Sequence, residues 1–249
     1  MLEQKCDLLR SLHIPGRPLV LPNAWDVPSA RAVVAAGFPV VATTSGGVAE
    51  ALGYEDEHRA PPEEMFGAAT RIARSVDVPV TVDAEAGYGL APAELVDVLL
   101  GAGAAGCNLE DTDHARGRLF QSDRHAAWLG DVRSAASGRG YGLVINARID
   151  VFLADRTRPQ GDLVDEALAR ARAYREAGAD CVYPIFLSEE TAIAAFVGAA
   201  PAPVNVLAQP QAPSPARLAE LGVARISYGS SIHRQVMGSL ATLLAELGT

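Results

Sequence analysis

Asp83 and Glu85 stand two residues apart in the run from Pro79 to Gly89. The first half of that run alternates β-branched residues and reads as a short buried strand. On a strand, residues at i and i+2 point to the same side, so the two carboxylates would face each other's field. Such a pair is relieved by a cation between the carboxylates, and a hard divalent ion with oxygen ligands, Mg²⁺ before Ca²⁺, suits them best. Gly87-Tyr88-Gly89 follows, a turn in which the backbone can approach a ligand closely. The alternative is an acidic strand-to-helix loop facing water.

The elements that position these acids follow from the remainder of the chain. Its 249 residues are 49% hydrophobic and 20% charged, the composition of a globular domain. The net charge is −9 and no run of Lys or Arg occurs, which argues against nucleic acid and anionic membrane as partners. Cys6, Cys107 and Cys181 lack paired spacing, and Cys107 and Cys181, in apolar strand-like runs, read as small core residues. Nothing reads as a signal peptide or a membrane span, and a reducing cytoplasm is the default.

Short apolar strands and helices alternate along the chain. Strands are predicted at Pro18–Pro22, Val40–Thr43, around Asp83, and at Gly106–Leu109, Leu143–Ala147, Cys181–Phe186, Val204–Leu207 and Arg225–Tyr228. A helix follows each, the last over Ile232–Leu247. Alternation of this kind with buried strands means a parallel sheet, and eight units in this length favour a single (β/α)₈ TIM-type barrel over residues 1–249 rather than an open sheet. No GxGxxG follows the first strand, which weakens a dinucleotide-binding fold.

Barrels of this type carry their chemistry at the C-terminal strand ends. The predicted ends hold Asn23, Trp25 and Asp26; Ser45, Gly46 and Gly47; Asp83 and Glu85; Glu110 and Asp111; Arg148 and Asp150; and Asn205. A helix start near Ser45-Gly46-Gly47 would offer backbone N–H groups to an anion. Trp25 reads as a pocket wall or a core aromatic, and Asn205 as a substrate-orienting amide or a strand-end cap. His114 has the pKa for acid–base work, although a solvated loop histidine is the commoner case. The polar stretch Thr112–Ser122 leaves a strand end and is expected to form a mobile lid.

At these residues the chain resembles the isocitrate lyase / phosphoenolpyruvate mutase superfamily. The resemblance runs from about Leu21 to Gly229 through Trp25-Asp26, Ser45-Gly46, Gly53–Asp56, Asp83–Gly89, Leu109-Glu110-Asp111 and Ala147–Asp150. It implies a Mg²⁺-dependent barrel, with Mn²⁺ as a substitute, acting on small keto, hydroxy or enol carboxylic acids through an enolate. By motif match Asp83 is the direct metal ligand, with Glu85, Glu110 and Asp56 holding it through water. Ser45, Gly46 and Gly47 match the segment that grips substrate oxygens, and Arg148 the carboxylate-binding arginine. A homodimer or homotetramer with the last helix exchanged between subunits is implied as well.

The departures from the superfamily pattern are chemical. The central motif usually ends in a second Asp, where this chain has Glu85. The lyase branch carries a cysteine loop after Glu110-Asp111, and Thr112–Arg118 contains no cysteine. The mutase branch has Lys and Asn there, and Arg116 and Arg118 stand nearby instead. Three readings result: a lyase breaking a C–C bond beside a carboxylate, a phosphoenolpyruvate phosphonomutase, and a barrel that binds metal and keto acid without turnover.

Overall fold

β-Branched and small apolar residues dominate the interior strands of the computed structural model, which describes residues 1–248. The strands are β1 (Leu19–Leu21), β2 (Asn23–Ala24), β3 (Val41–Thr43), β4 (Val80–Asp83), β5 (Gly106–Glu110), β6 (Thr112–Asp113), β7 (Arg118–Leu119), β8 (Val144–Ile149), β9 (Cys181–Pro184), β10 (Asn205–Leu207) and β11 (Arg225–Ser227). The helices are α1 (Leu2–Ser11), α2 (Val27–Ala35), α3 (Ser45–Leu52), α4 (Pro62–Arg74), α5 (Pro92–Ala102), α6 (Ser122–Gly138), α7 (Val151–Ala154), α8 (Val164–Glu176), α9 (Glu190–Ala199), α10 (Pro215–Glu220) and α11 (Ser231–Leu247), with a 3₁₀ turn at Gln160–Leu163 before α8.

The fold is α/β with parallel strands, of the TIM-barrel type. A six-stranded sheet runs β2-β3-β4-β5-β8-β9 and a three-stranded one runs β1-β11-β10. Val182 in β9 forms a parallel bridge to Val204 just before β10. Pro22, which has no N–H to give a ladder, separates β1 from β2. Helices cover the outer face, with α5 packed between α4 and α6. Cys6, Cys107 and Cys181 are buried free thiols, as expected for Cys107 and Cys181. No helix among the described residues is long and apolar enough to cross a membrane.

Two segments at strand ends take a definite form. Within Thr112–Ser122, β6 and β7 pair antiparallel, Thr112 opposite Leu119 and Asp113 opposite Arg118. Arg116 closes the turn on Asp113 at 2.8 Å, a local ion pair that a search for long-period patterning passes over. Ser45-Gly46-Gly47 forms the first turn of α3, the helix start expected there.

His125 in α6 shows how the helical layer depends on pH. It is buried against Phe120, Trp128 and Tyr174. Burial, reinforced by Arg170, lowers its pKa to about 3. The fold therefore requires the neutral ring, so stability is complete above the unfolded pKa of about 6.5 and is lost as pH falls below it. Between pH 7 and pH 5 the cost grows to about 2 kcal/mol. A His125→Phe variant escapes that term, so urea unfolding should show its stability relative to wild type rising by about 2 kcal/mol from pH 7 to pH 5. A constant difference would mean that the ring is already protonated or solvated in the fold.

Candidate active site

Asp83, the last residue of β4, is held from two sides. Its N–H donates to Thr43 Oγ1 at 2.9 Å, and its Oδ2 accepts the Ser45 N–H at 3.1 Å. Ser45 opens α3, where backbone N–H groups lack helical partners and the helix presents partial positive charge. The other carboxylate oxygen, Asp83 Oδ1, is buried with no hydrogen-bond partner. Asp56 comes in from the loop after α3 and faces the same helix start. A Cβ built on Gly46 would lie 2.7 Å from Asp56 Oδ2 and 2.9 Å from Ser230 Oγ. Glycine at 46 is thus required for Asp56 to sit where it does. Burial first, then the neighbouring Asp83, raises the Asp56 pKa.

Glu85 does not extend the strand. β4 ends at Asp83, the chain turns, and Glu85 takes a left-handed φ of 45°. The pleat that would have put both carboxylates on one side has stopped, and the Glu85 carboxylate is directed by side-chain partners instead. Tyr88 Oη donates to Oε1 and the His58 backbone N–H to Oε2, both at 2.7 Å. Burial is the main cause that lifts its pKa to about 8, with the charges of Glu110, Asp56 and Asp83 adding to it. The turn itself approaches a side chain rather than a ligand: a Cβ on Gly87, at φ 85°, would meet Trp128 at 2.8 Å.

Glu110 ends β5 opposite Arg148 of β8, its register partner. The two side chains form an ion pair through Glu110 Oε2 and Arg148 Nη1, and His114 Nε2 lies 2.5 Å from Glu110 Oε1. Asp150 takes the Nε and Nη2 sides of the guanidinium at 2.6 and 2.8 Å. Arg148 is therefore engaged by both Glu110 and Asp150. A guanidinium has five N–H groups; Asp150 takes one on Nε and one on Nη2, and Glu110 pairs with Nη1 by charge, so N–H groups remain for a ligand. Asp111 is structural: fully buried, it accepts from Arg170, Tyr174 and the Asp150 N–H.

Ser45, Asp56, Asp83, Glu85, Glu110 and Arg148 line one cavity of about 630 Å³, together with His114 and Asn23. Trp25, Gly46, Gly47 and Asn205 do not line it. Trp25 packs edge-on against His233 at 4.7 Å. Gly47 sits beneath, where a Cβ would strike Thr44 Cγ2 at 2.7 Å. Asn205 begins β10 rather than ending it, and lies fully buried with Ser227 on its Oδ1 at 3.3 Å. Tyr183, Ser230 and Arg234 line the cavity without having been singled out. For Tyr183, a polar aromatic in an apolar strand was the available signal. His58, which meets Glu85, carried none.

The residues present fit a divalent cation. Four carboxylates converge, at least three of them with raised pKa through burial and mutual repulsion, and one buried oxygen, Asp83 Oδ1, has no protein partner. Hard oxygen ligands of this kind suit Mg²⁺ or Mn²⁺.

Gly46→Ala tests this arrangement from outside the carboxylates. The added methyl would displace Asp56, so Mg²⁺ affinity should fall roughly tenfold, as for loss of outer support, with the circular dichroism spectrum unchanged. Unaltered affinity would separate Asp56 from the metal site.

A site built of acids and arginine at strand ends is shared by several chemistries, and comparison with known proteins narrows them. Residues 9–247 match the family model described as phosphoenolpyruvate phosphomutase. The chain belongs to that family. It is also a member of the phosphoenolpyruvate mutase / isocitrate lyase superfamily, whose members are lyases and mutases. A Mycobacterium tuberculosis protein of uncharacterised function is 36% identical over 219 residues, covering 88% of this chain and 80% of its own. A Corynebacterium glutamicum protein named probable 2-methylisocitrate lyase 1 is 31% identical over 237 residues, covering 91% and 76%. Among solved structures, a Burkholderia cenocepacia protein with a provisional phosphonomutase designation superposes with TM-score 0.93 at 44% identity, over 97% of this chain and 99% of its own.

Proposed function

We propose that the protein is a Mg²⁺-dependent lyase that cleaves a C–C bond beside a carboxylate in a small α-keto or 2-hydroxy acid, through an enolate. The observation that carries this is the unpartnered Asp83 Oδ1 facing, across one cavity, an arginine with N–H groups to spare. A divalent cation held by Asp83, with Glu85, Glu110 and Asp56 in support, supplies a Lewis acid for the substrate oxygen that becomes negative. Arg148 orients the adjacent carboxylate through its remaining N–H groups, and its charge favours the anionic intermediate. Ser45 and the N-terminus of α3 add backbone donors at the same end. Asp150 and Glu110 keep the guanidinium from swinging, so little reorganisation is needed on reaction.

Phosphonomutase chemistry is the second reading, favoured by the family model and by the Burkholderia neighbour. A panel of keto and hydroxy acids followed for pyruvate release tests the first reading, and phosphorus NMR on phosphoenolpyruvate and phosphonopyruvate tests the second. If neither yields product while acids still bind, the protein is a binding barrel without turnover.

The same proposal covers the frame. The eight main strands form one closed barrel over residues 1–249, with β1 and β2 as a single strand broken at Pro22. A homodimer or homotetramer is proposed from α11, where Val236, Leu240, Leu243 and Leu244 are 47%, 44%, 58% and 58% exposed. Such a stripe needs a covering surface, and exchange of α11 between subunits would provide one. Light scattering at micromolar concentration should give the mass of two or four chains, and the monomer mass would end the idea. With a net charge of −9, the partners are a small carboxylic acid and copies of the chain, not nucleic acid or membrane.

A further inference from the structure

We propose that His58, Glu85 and His114 form a second cation site beside the carboxylate cluster, one that takes a divalent transition ion of the Zn²⁺ class. The three residues come from separate segments: the loop after α3, the turn after β4, and the β6–β7 hairpin. His58 Nε2 and His114 Nε2 each lie 3.8 Å from Glu85 Oε2. One ligand atom from each residue falls within 4.8 Å of the others. Ligand atoms in a tetrahedral zinc site with bonds of about 2.0–2.1 Å stand roughly 3.3–3.4 Å apart. Small side-chain shifts close that gap.

The ligand atoms are positioned by hydrogen bonds that an ion would replace, His114 Nε2 lying 2.5 Å from Glu110 Oε1. The Ala86 N–H donates to His58 Nε2 at 3.0 Å, which puts the proton on Nδ1 and leaves Nε2 with a lone pair that an ion would take over from that amide. Tyr88 stacks on the His58 ring at 4.7 Å while its hydroxyl fixes Glu85. The two imidazoles lie with ring centroids 4.4 Å apart. Outer contacts of this kind orient metal-binding side chains. Glu85 is the residue by which the central motif departs from the usual second aspartate, and its extra methylene carries the carboxylate toward the histidines.

Selectivity follows from ligand type. Two imidazoles and one carboxylate favour Zn²⁺ or Co²⁺, whereas Mg²⁺ seeks oxygen alone. An ion there would tie the Asp56 loop to the hairpin across the cavity mouth. The proposal rests on the reading that places Mg²⁺ at Asp83, and the test separates the two.

The full-length protein, saturated with Mg²⁺, is titrated with Co²⁺ and followed by visible absorption. About one further equivalent should bind with the d–d bands of imidazole ligation. His58→Gln and His114→Gln should each lower Co²⁺ affinity by more than about 100-fold, beyond what loss of an outer contact costs, while Mg²⁺ affinity in His58→Gln stays within a few-fold. His114 lies on the hairpin, so its variant decides the matter should His58→Gln misfold. Asp83→Ala should lose Mg²⁺ and keep the Co²⁺ spectrum. Competitive displacement of Co²⁺ by Mg²⁺, or wild-type Co²⁺ affinity in the histidine variants, would overturn the second site. Retained Mg²⁺ affinity in Asp83→Ala would instead overturn the cluster reading alone.

Discussion

Replacing Asp83 with alanine removes Mg²⁺ binding from titration calorimetry, a loss of more than about 100-fold in affinity, and leaves the metal-free protein no less stable than wild type. Both halves of this expected result come from the same geometry. Asp83 holds the buried carboxylate oxygen that has no hydrogen-bond partner. It also adds repulsion to Asp56, Glu85 and Glu110, each of which has a raised pKa in part because of it. Removing it takes one charge from a crowded, desolvated cluster. Against that relief stand the Ser45 N–H left without its acceptor, at about 1–3 kcal/mol, and the loss of Asp83's attraction for the buried Arg148 and Arg225. Unchanged Mg²⁺ affinity would sink the assignment. A large fall in metal-free stability would show Asp83 to be a structural anchor of α3 instead.

Oxalate and Mg²⁺ should bind cooperatively, each strengthening the other by about 1–3 kcal/mol, or roughly 5- to 150-fold. A site that stabilises an enolate prefers a planar dianion, and oxalate has that shape: one carboxylate oxygen stands for the enolate oxygen and the second carboxylate for the one held at Arg148. The coupling must be reciprocal, so it is measured as oxalate affinity with and without Mg²⁺ and checked the other way round. Arg148→Lys should weaken oxalate by more than about tenfold while sparing Mg²⁺. Lysine keeps a charge but cannot satisfy Asp150 on two sides and a ligand on a third. Oxalate binding that ignores Mg²⁺, or no oxalate binding, would remove the enolate mechanism and leave the non-catalytic barrel.

The parallel α/β frame was legible because buried strands and amphipathic helices alternate, and because acids and arginine recur where strands end. Local conformation was less so. The i, i+2 argument for Asp83 and Glu85 assumes extended backbone, and the left-handed Glu85 breaks it. Asn205 was misplaced because β10 spans only Asn205–Leu207, too short for periodicity to fix its ends. The hairpin at Thr112–Leu119 depends on one Arg116–Asp113 contact. That His58 meets Glu85 and His114 depends on three segments far apart in sequence, and spacing along one chain holds no record of such a meeting. Arg148 was read as a ligand-binding residue with a core ion pair as the alternative; its contacts with Glu110 and Asp150 supply the ion pair and still leave donors facing the cavity.

The pairing of β1 with β11 bears on how the chain is made as well as on its final form. Leu19–Leu21 takes Arg225–Ser227 as its neighbour, so the first interior strand waits for one of the last to leave the ribosome. Until then β1 exposes an apolar edge with unpaired backbone groups, a surface prone to association between nascent chains. Contacts this distant in sequence also slow folding, since the intervening loop must close before they are rewarded. Newly made chains therefore carry an unpaired β1 until β11 has emerged, and yield at high expression should improve with chaperone supply.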